Sequence, residues 1–195
     1  MPSVIERETL LSLEAYARER PQFRARVIEH KRRRSLALGE HVTLLFEDEL
    51  TIRYQVQEML RIERIFEEDG IRHELEAYNP LVPDGGNWKA TMLVEYPDEQ
   101  ERKRMLARLK GIERSVWMKV DGFPPIRPVA DEDLERENEE KTSSVHFLRF
   151  ELDDAQRRAV KAGAGISAGI DHPEYGARVE PLPQPLRAAL AEDLA

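Results

Sequence analysis

Residues Ser35 to Phe66 read SLALGEHVTLLFEDELTIRYQVQEMLRIERIF, and this stretch decides the fold prediction. Its first part alternates apolar and other residues, which predicts one strand or two short strands bent at Gly39. The polar pair Glu47-Asp48 predicts a turn, with Asp48 as the N-cap of a long amphipathic helix. Extended chain followed directly by an amphipathic helix indicates an α+β protein.

The long helix carries one carboxylate, Glu63, within its apolar face. At 100° per residue, Glu63 falls among Ile52, Val56, Met59 and Phe66. An ionised carboxylate in apolar surroundings is costly, so we expect it to be paired, protonated or bound to a metal. Arg34, Lys89 or Arg149 could form a structural ion pair with it, whereas a raised pKa or a metal would indicate a functional site. Gly70 is predicted to end the helix.

Two shorter helices are predicted before this stretch. Ser3 is expected to cap the first, which ends near Pro21, and the second runs from about residue 22 to 34. Continued at helical spacing, the apolar stripe of the second helix reaches His30 and Arg34. These two side chains either face water beyond the helix end or turn toward the core, where they would meet Glu63.

The C-terminal half contains the order strand, helix, strand twice. The predicted strands are residues 89–96, 115–120, 145–152 and 166–170, and Asp98 and Asp153 lie at similar strand-to-helix junctions. The pattern predicts an antiparallel or mixed sheet made of two strand–helix–strand units, with the helical N-terminal half packed on it. A ferredoxin-like sandwich is one such arrangement and an ordinary α+β meander is the other. We divide the chain into a helix-rich part (1–86), a sheet part (87–180) and a C-terminal tail helix (181–195).

Composition excludes several function classes. The 195 residues include no cysteine, which excludes disulfides, thiolate zinc sites, iron–sulfur ligation by this chain and a cysteine nucleophile. The net charge of −8 argues against nucleic acid as a partner. No apolar run reaches the length of a membrane span and no signal peptide is evident, so we expect a cytoplasmic protein without a membrane partner. The charged run 131–141 is predicted to be a solvated helix or mobile loop, with a metal or partner site as the alternative.

No catalytic motif is present, so the candidate site residues rest on position alone. His146 alternates with apolar residues on a strand, and Asp171 and His172 follow the last predicted strand, where sites often lie. Together with Glu63 of the long helix, these three residues are the catalytic candidates: Glu63, His146, Asp171 and His172. The metal candidates are Glu63, His30 and His172, and the ion would be a transition metal. No cofactor-binding residue is predicted.

Four stretches resemble a known family: GEHVTLLFEDELTIRYQVQEMLRIERIF, AYNPLVPDGGNWKATMLVEYPD, EKTSSVHFLRFEL and GIDHPEY. They are similar to an uncharacterised bacterial family, number thirty-five-oh-one in the domain-of-unknown-function series. Members are often encoded near rubrerythrin-like and iron–sulfur oxidoreductase proteins, so the resemblance implies a bacterial protein with a redox protein as partner. It assigns no catalytic residue.

Two functions follow as hypotheses. The first is a non-catalytic accessory or binding module in redox or stress metabolism. The alternative is an enzyme or metal-binding protein that uses Glu63 with His30, His146 or His172. Ligand binding on a ferredoxin-like sheet is a third interpretation, by fold analogy alone. The leucine stripe of the tail helix favours docking on its own domain, with a homodimer as the other arrangement.

Overall fold

The computed structural model describes residues 4–195. Within this range the helices are α1 (Leu13–Arg32), α2 (Glu49–Glu63), α3 (Glu68–Tyr78), α4 (Glu99–Arg108), α5 (Asp154–Lys161) and α6 (Gln184–Glu192). The strands are β1 (Ser35–Leu38), β2 (Val42–Phe46), β3 (Asn87–Val94), β4 (Val116–Val120), β5 (Val129–Ala130), β6 (Val145–Glu151), β7 (Ile166–His172) and β8 (Tyr175–Val179). The α+β class is confirmed. None of these helices is long and apolar enough to cross a membrane.

The strands form two antiparallel sheets, a five-stranded one in the order β1-β2-β3-β6-β5 and a three-stranded one in the order β4-β7-β8. β1 and β2 are the two short strands predicted around Gly39, which adopts a φ of 74° in the turn between them. β2 then pairs with β3, so the large sheet joins the N-terminal part of the chain to the sheet part.

Both predicted strand–helix–strand units are present, as β3-α4-β4 and β6-α5-β7, but the two strands of each unit belong to different sheets. β3 has β2 on one edge and β6 on the other, which leaves no edge for β4. The units therefore do not form the single four-stranded sheet of a ferredoxin-like sandwich. Asp98 and Asp153 do cap the two helices through their side chains, as the matching junctions indicate.

The prediction of two helices before Ser35 is wrong, because α1 continues through Pro21. Proline removes one helical hydrogen bond, but contacts on both sides of Pro21 hold this helix together. Tyr16 and Val27 are buried, and the Tyr16 hydroxyl donates to Glu58 of α2 at 2.8 Å. The predicted cap at Ser3 lies outside the described residues.

α2 ends at Glu63, earlier than predicted. Arg64 adopts a left-handed conformation with a φ of 54°, which reverses the chain after the last helical residue. Gly70 does not end this helix but lies inside α3. A Cβ atom on Gly70 would come 2.7 Å from Cγ2 of Ile65, so the glycine allows Ile65 to pack closely there.

Two apolar cores result. The larger lies beside the two sheets and takes in the leucines of α6, whereas the smaller joins α2, α3 and the N-terminal segment. The α6 leucines dock on their own chain, and the Trp88 indole donates to the Leu190 carbonyl at 2.9 Å. The division at residues 86 and 180 stays a prediction. The region between the large sheet and α3 contains a cleft that is described next.

Candidate functional site

The prediction that Glu63 is buried is wrong. Glu63 is exposed, and Ile62 and Phe66 beside it are 60% and 71% exposed. Angular position does place Glu63 near the stripe of Ile52 and Leu60, but it is the last residue of α2. Periodicity gives the direction of a side chain and not the extent of the elements that cover it. Glu63 therefore meets neither Arg34 nor a histidine.

His30 and Arg34 do turn inward, and they meet Asp48. His30 Nε2 lies 2.6 Å from Asp48 Oδ2, and Arg34 Nη1 lies 3.5 Å from the same oxygen. Arg34 also donates to the carbonyls of Phe46 and Glu47 and to Asp193. Burial would raise the pKa of Asp48, but the charge of Arg34 and the hydrogen bonds outweigh it and lower the pKa. These groups pair with one another, which indicates a structural role.

Asp171 and His172 are not brought together with Glu63 or His30 by any contact within residues 4–195. Asp171 is 53% exposed and forms a bidentate pair with Arg127 at 2.6 and 2.9 Å. His172 Nε2 lies 2.8 Å from the Lys110 carbonyl, and its Nδ1 accepts from the Glu174 amide. Both ring nitrogens are thus engaged, Nδ1 within the β7–β8 turn and Nε2 by the chain just after α4. The described residues therefore do not bring Glu63, His30 and His172 together.

A cleft of about 330 Å³ lies between β3, β6 and the end of α3. Its walls are mostly apolar and are formed by Ala77, Leu81, Ala90, Phe147 and Leu148. Glu47, Lys89 and Arg149 provide the main polar groups, with acidic side chains around them. An apolar cleft into which a few polar groups converge is the usual form of a small-molecule site.

Within the stretch Ser35 to Phe66, Glu47 is a buried carboxylate, sixteen positions before Glu63. It is 5% exposed, and its oxygens accept from the hydroxyls of Thr51 and Thr91, the latter at 2.7 Å. Burial raises the pKa of Glu47, and the two hydroxyl hydrogen bonds oppose this shift. A carboxyl group in such surroundings can retain its proton above the usual pH range.

Lys89 occupies the β3 position that neighbours Arg149 of β6 in the sheet register. Its ammonium donates to the carbonyls of Pro80 and Val82 at 2.6 and 3.0 Å, which fixes the turn after α3 to the sheet. Burial lowers the pKa of Lys89. An ammonium has three N–H donors, so one donor is left after these two bonds.

Arg149 closes one side of the cleft through ion pairs. It donates to both oxygens of Glu132 at 2.7 and 2.8 Å and also to Glu151. These hydrogen bonds raise the pKa of Arg149. Three N–H donors of Arg149 are engaged by carboxylates. Its side chain therefore lines the cleft, but its charge is already paired.

His146 lies in a second polar cluster, at a β6 position that alternates with the cleft residues Phe147 and Arg149. It is fully buried, with Nδ1 2.6 Å from Asp131 Oδ2. Its Nε2 lies 2.9 Å from the Ser143 carbonyl, 3.0 Å from Thr142 Oγ1 and 3.9 Å from Glu113 Oε2. Within residues 4–195, Glu113, Asp131 and His146 form the group of His, Asp and Glu side chains close enough to share one metal ion.

Asp131 is held in place by its backbone. It has a φ of 52°, a conformation that aspartate tolerates better than most residues. Its amide donates to the Phe147 carbonyl at 2.8 Å, and its Oδ1 accepts from the Phe147 amide at 2.9 Å. The start of the charged run 131–141 is therefore packed against β6, whereas residues 132–135 and 138–141 are exposed and not helical, which agrees with the predicted solvated segment.

The family described as a protein of unknown function, DUF3501, matches residues 4–194. The chain belongs to the DUF3501 family. The chain is also similar to a solved structure, that of a novel protein of unknown function from Burkholderia pseudomallei K96243. The two are 56% identical with a TM-score of 0.91, and the match covers 99% of this chain and 100% of the other. Among curated proteins, no sequence matches.

Sequence reasoning on this DUF3501 chain found His146 but missed its partners. Glu113 lies in a short turn and Asp131 in a charged run, and neither position has a local signal that indicates burial. Glu47 did have a signal, because it directly follows the buried end of β2. Lys89 had one as well, as a charge that alternates with Trp88 and Ala90 on a strand.

Proposed function

We propose that this DUF3501 protein binds a small, largely apolar organic molecule in the cleft, and that this molecule carries a carbonyl or carboxylate group. The observation that carries the proposal is the position of Lys89, a partly buried ammonium with one unused donor at a cleft whose exposed surface is mostly apolar. The proposal specifies a ligand class for the binding-module hypothesis.

The size of the cleft limits the ligand. A volume of about 330 Å³ is at the lower end of the range for small-molecule sites, roughly 300–1,000 Å³. The apolar walls favour a compact ring or a short chain, since burial of apolar surface supplies most of the binding free energy. A nucleotide or a peptide does not suit these dimensions.

The polar groups select the head of the ligand. The third N–H of Lys89 is available to an acceptor on a ligand, and an anionic acceptor also compensates for the burial that lowers the pKa of Lys89. Burial raises the pKa of Glu47, so a proton on Glu47 could serve as a second donor. Both groups favour a ligand that accepts hydrogen bonds over an ammonium, which only donates them.

Three probes of one size test this selection: benzoate, acetophenone and benzylamine. We expect benzoate and acetophenone to shift the backbone amide signals of Ala90 and Phe147 saturably in NMR titrations, and benzylamine not to do so. Saturable binding of benzylamine alone, or of none of the three, would contradict the proposal.

Two variants locate the binding site. Ala77→Trp places a large side chain at the cleft from an exposed helix position and is expected to abolish binding. Ala107→Trp makes the same change at an exposed position of α4 and should leave binding unchanged. Lys89→Met keeps the apolar part of the side chain and removes the ammonium. We expect it to weaken the binding of benzoate more than the binding of acetophenone. Equal affinity in the two tryptophan variants would place the ligand elsewhere.

Association with a rubrerythrin-like or iron–sulfur redox protein and a cytoplasmic location belong to this proposal as predictions from the family resemblance. Co-purification with such a protein from a bacterial host of the family tests the first. The binding of a small molecule does not depend on it.

A further inference from the structure

We propose that Glu113, His146 and the chain around Thr142-Ser143 form a binding site for one divalent transition-metal ion, with Zn²⁺ or Mn²⁺ as the ion class. This site is separate from the cleft and does not depend on the proposed small-molecule function. It shares only His146 with the residues that the sequence indicates for a metal-binding protein.

The unused oxygen of Glu113 is the observation that indicates a ligand. Glu113 is 3% exposed, and its Oε2 has no hydrogen-bond partner among the described residues, whereas Oε1 accepts from Arg114 at 2.9 Å. A buried carboxylate oxygen without a partner costs free energy. This oxygen lies 3.9 Å from Nε2 of His146, so both groups face the same small region.

The imidazole is oriented as in known metal sites. Asp131 lies 2.6 Å from Nδ1 of His146 and can accept a proton from it, while Nε2 lies on the side of Glu113 and of the Ser143 carbonyl. Metal-ligating histidines almost always donate their other ring nitrogen to a carboxylate or carbonyl in this way. Asp131 is therefore a positioning residue for the histidine.

Two further oxygens complete the donor set. Thr142 Oγ1 and the Ser143 carbonyl lie 3.0 and 2.9 Å from Nε2. Neighbouring ligands of a six-coordinate ion are about 3 Å apart when each is ~2.1 Å from the ion. An ion at this site takes the place of the Nε2 proton that the Ser143 carbonyl accepts, with the two oxygens as neighbouring ligands and Glu113 joining them after a rotation of its side chain. One imidazole among oxygen donors suits Zn²⁺, Mn²⁺ or Fe²⁺ better than a soft ion.

The local charge also favours a divalent cation. Arg114 lies between the carboxylates of Glu113 and Glu137, and Arg136 pairs with Asp131 and Asp133. Carboxylates thus outnumber guanidinium groups by two when His146 is neutral. A bound divalent ion would balance this excess and would fix the segment 131–144 to β6.

Calorimetric titration of chelator-treated protein with ZnCl₂ or MnCl₂ tests the site. We expect one ion per chain, a higher melting temperature in its presence, and a shift of the His146 Nε2 signal in ¹⁵N NMR spectra of the histidine rings. The signals of His30, His41, His73 and His172 should not move. No saturable binding, or binding that moves another histidine instead of His146, would overturn the proposal.

Glu113→Gln is the matched variant because it keeps the shape of the side chain and removes the charge. We expect it to weaken metal binding by ~10–100-fold or more. Glu139→Gln changes an exposed acid in the same region and should bind as the wild type does. Unchanged affinity in Glu113→Gln would refute the assignment. If this variant does not fold, the His146 ring signal of the wild type decides the question by itself.

Discussion

Replacement of Arg34 by methionine tests how the N-terminal helices are joined to the C-terminus. Arg34 is 1% exposed and donates to the carbonyls of Phe46 and Glu47 at 2.7 and 3.2 Å. It also donates to Asp193, just after α6, and lies 3.5 Å from Asp48. One guanidinium thus connects the end of α1, the turn before α2 and the tail.

The cost of Arg34→Met follows from these contacts. Two main-chain carbonyls and a buried carboxylate lose their partner, and each buried unpaired group costs ~1–3 kcal/mol. Breaking a buried ion pair from one side costs ~3–5 kcal/mol. Because Asp193 can take up a proton and Asp48 keeps His30, we expect a loss of ~3–5 kcal/mol near pH 7.5 rather than the sum of all terms.

The loss should increase with pH. Burial raises the pKa of Asp193 to about 6, although the charge of Arg34 opposes the shift. A raised acid pKa contributes stability that is present below the unfolded pKa and is lost as the pH rises through about 6. Without Arg34 the ionised form loses its counter-charge. The difference in unfolding free energy between wild type and variant is therefore expected to be larger at pH 8 than at pH 5.

Urea unfolding followed by tryptophan fluorescence measures this difference. Trp88 donates to the Leu190 carbonyl, so its emission reports whether α6 is docked. Arg33→Met is the matched control, because Arg33 is 44% exposed and its partner Glu192 lies 3.6 Å away. Such a surface pair contributes ~0–1 kcal/mol. A loss in Arg34→Met that is no larger than in Arg33→Met, or that does not change with pH, would refute the reasoning.

Three further changes test other parts of the fold. Glu47→Gln should become more stable relative to wild type as the pH rises from 5 to 8, because burial raises the pKa of Glu47 and its ionisation then costs stability; equal urea midpoints at both values would contradict this. Burial by itself would raise the pKa of Glu58, but hydrogen bonds from Arg20, Tyr16 and Arg61 outweigh it and lower the pKa to about 2. The wild type should therefore lose stability as the pH falls from about 4.5 toward 2. In Glu58→Gln, the unfolding free energy measured by circular dichroism should depend less on pH over this range. Leu190→Ala should cost ~2–5 kcal/mol and shift the Trp88 emission, since Leu190 is fully buried, whereas a loss below ~1 kcal/mol would show that α6 is not part of the cooperative core.

Sequence periodicity predicted most of the C-terminal elements because their signals are local. β3, β4, β6 and β7 lie within two residues of the predicted strand starts, and Asp98 and Asp153 cap their helices as the sequence indicates. β8 was missed, since the Asp171–Tyr175 stretch reads as a turn and the strand after it alternates only between exposed and half-buried positions.

The sequence by itself determined the α+β class, the two short strands around Gly39, the cap at Asp48 and the absence of any cysteine chemistry. Each depends on neighbours within a few residues. Tertiary structure alone decided which carboxylates are buried. Glu63 lies on the apolar side of its helix, but no element within residues 4–195 covers that end, whereas Glu47 is enclosed by hydroxyls from α2 and β3. His146 meets Glu113 and Asp131 because the β3–β6 pairing and the intervening chain bring distant segments together. Burial depends on what packs over a residue, and local periodicity carries no information about that.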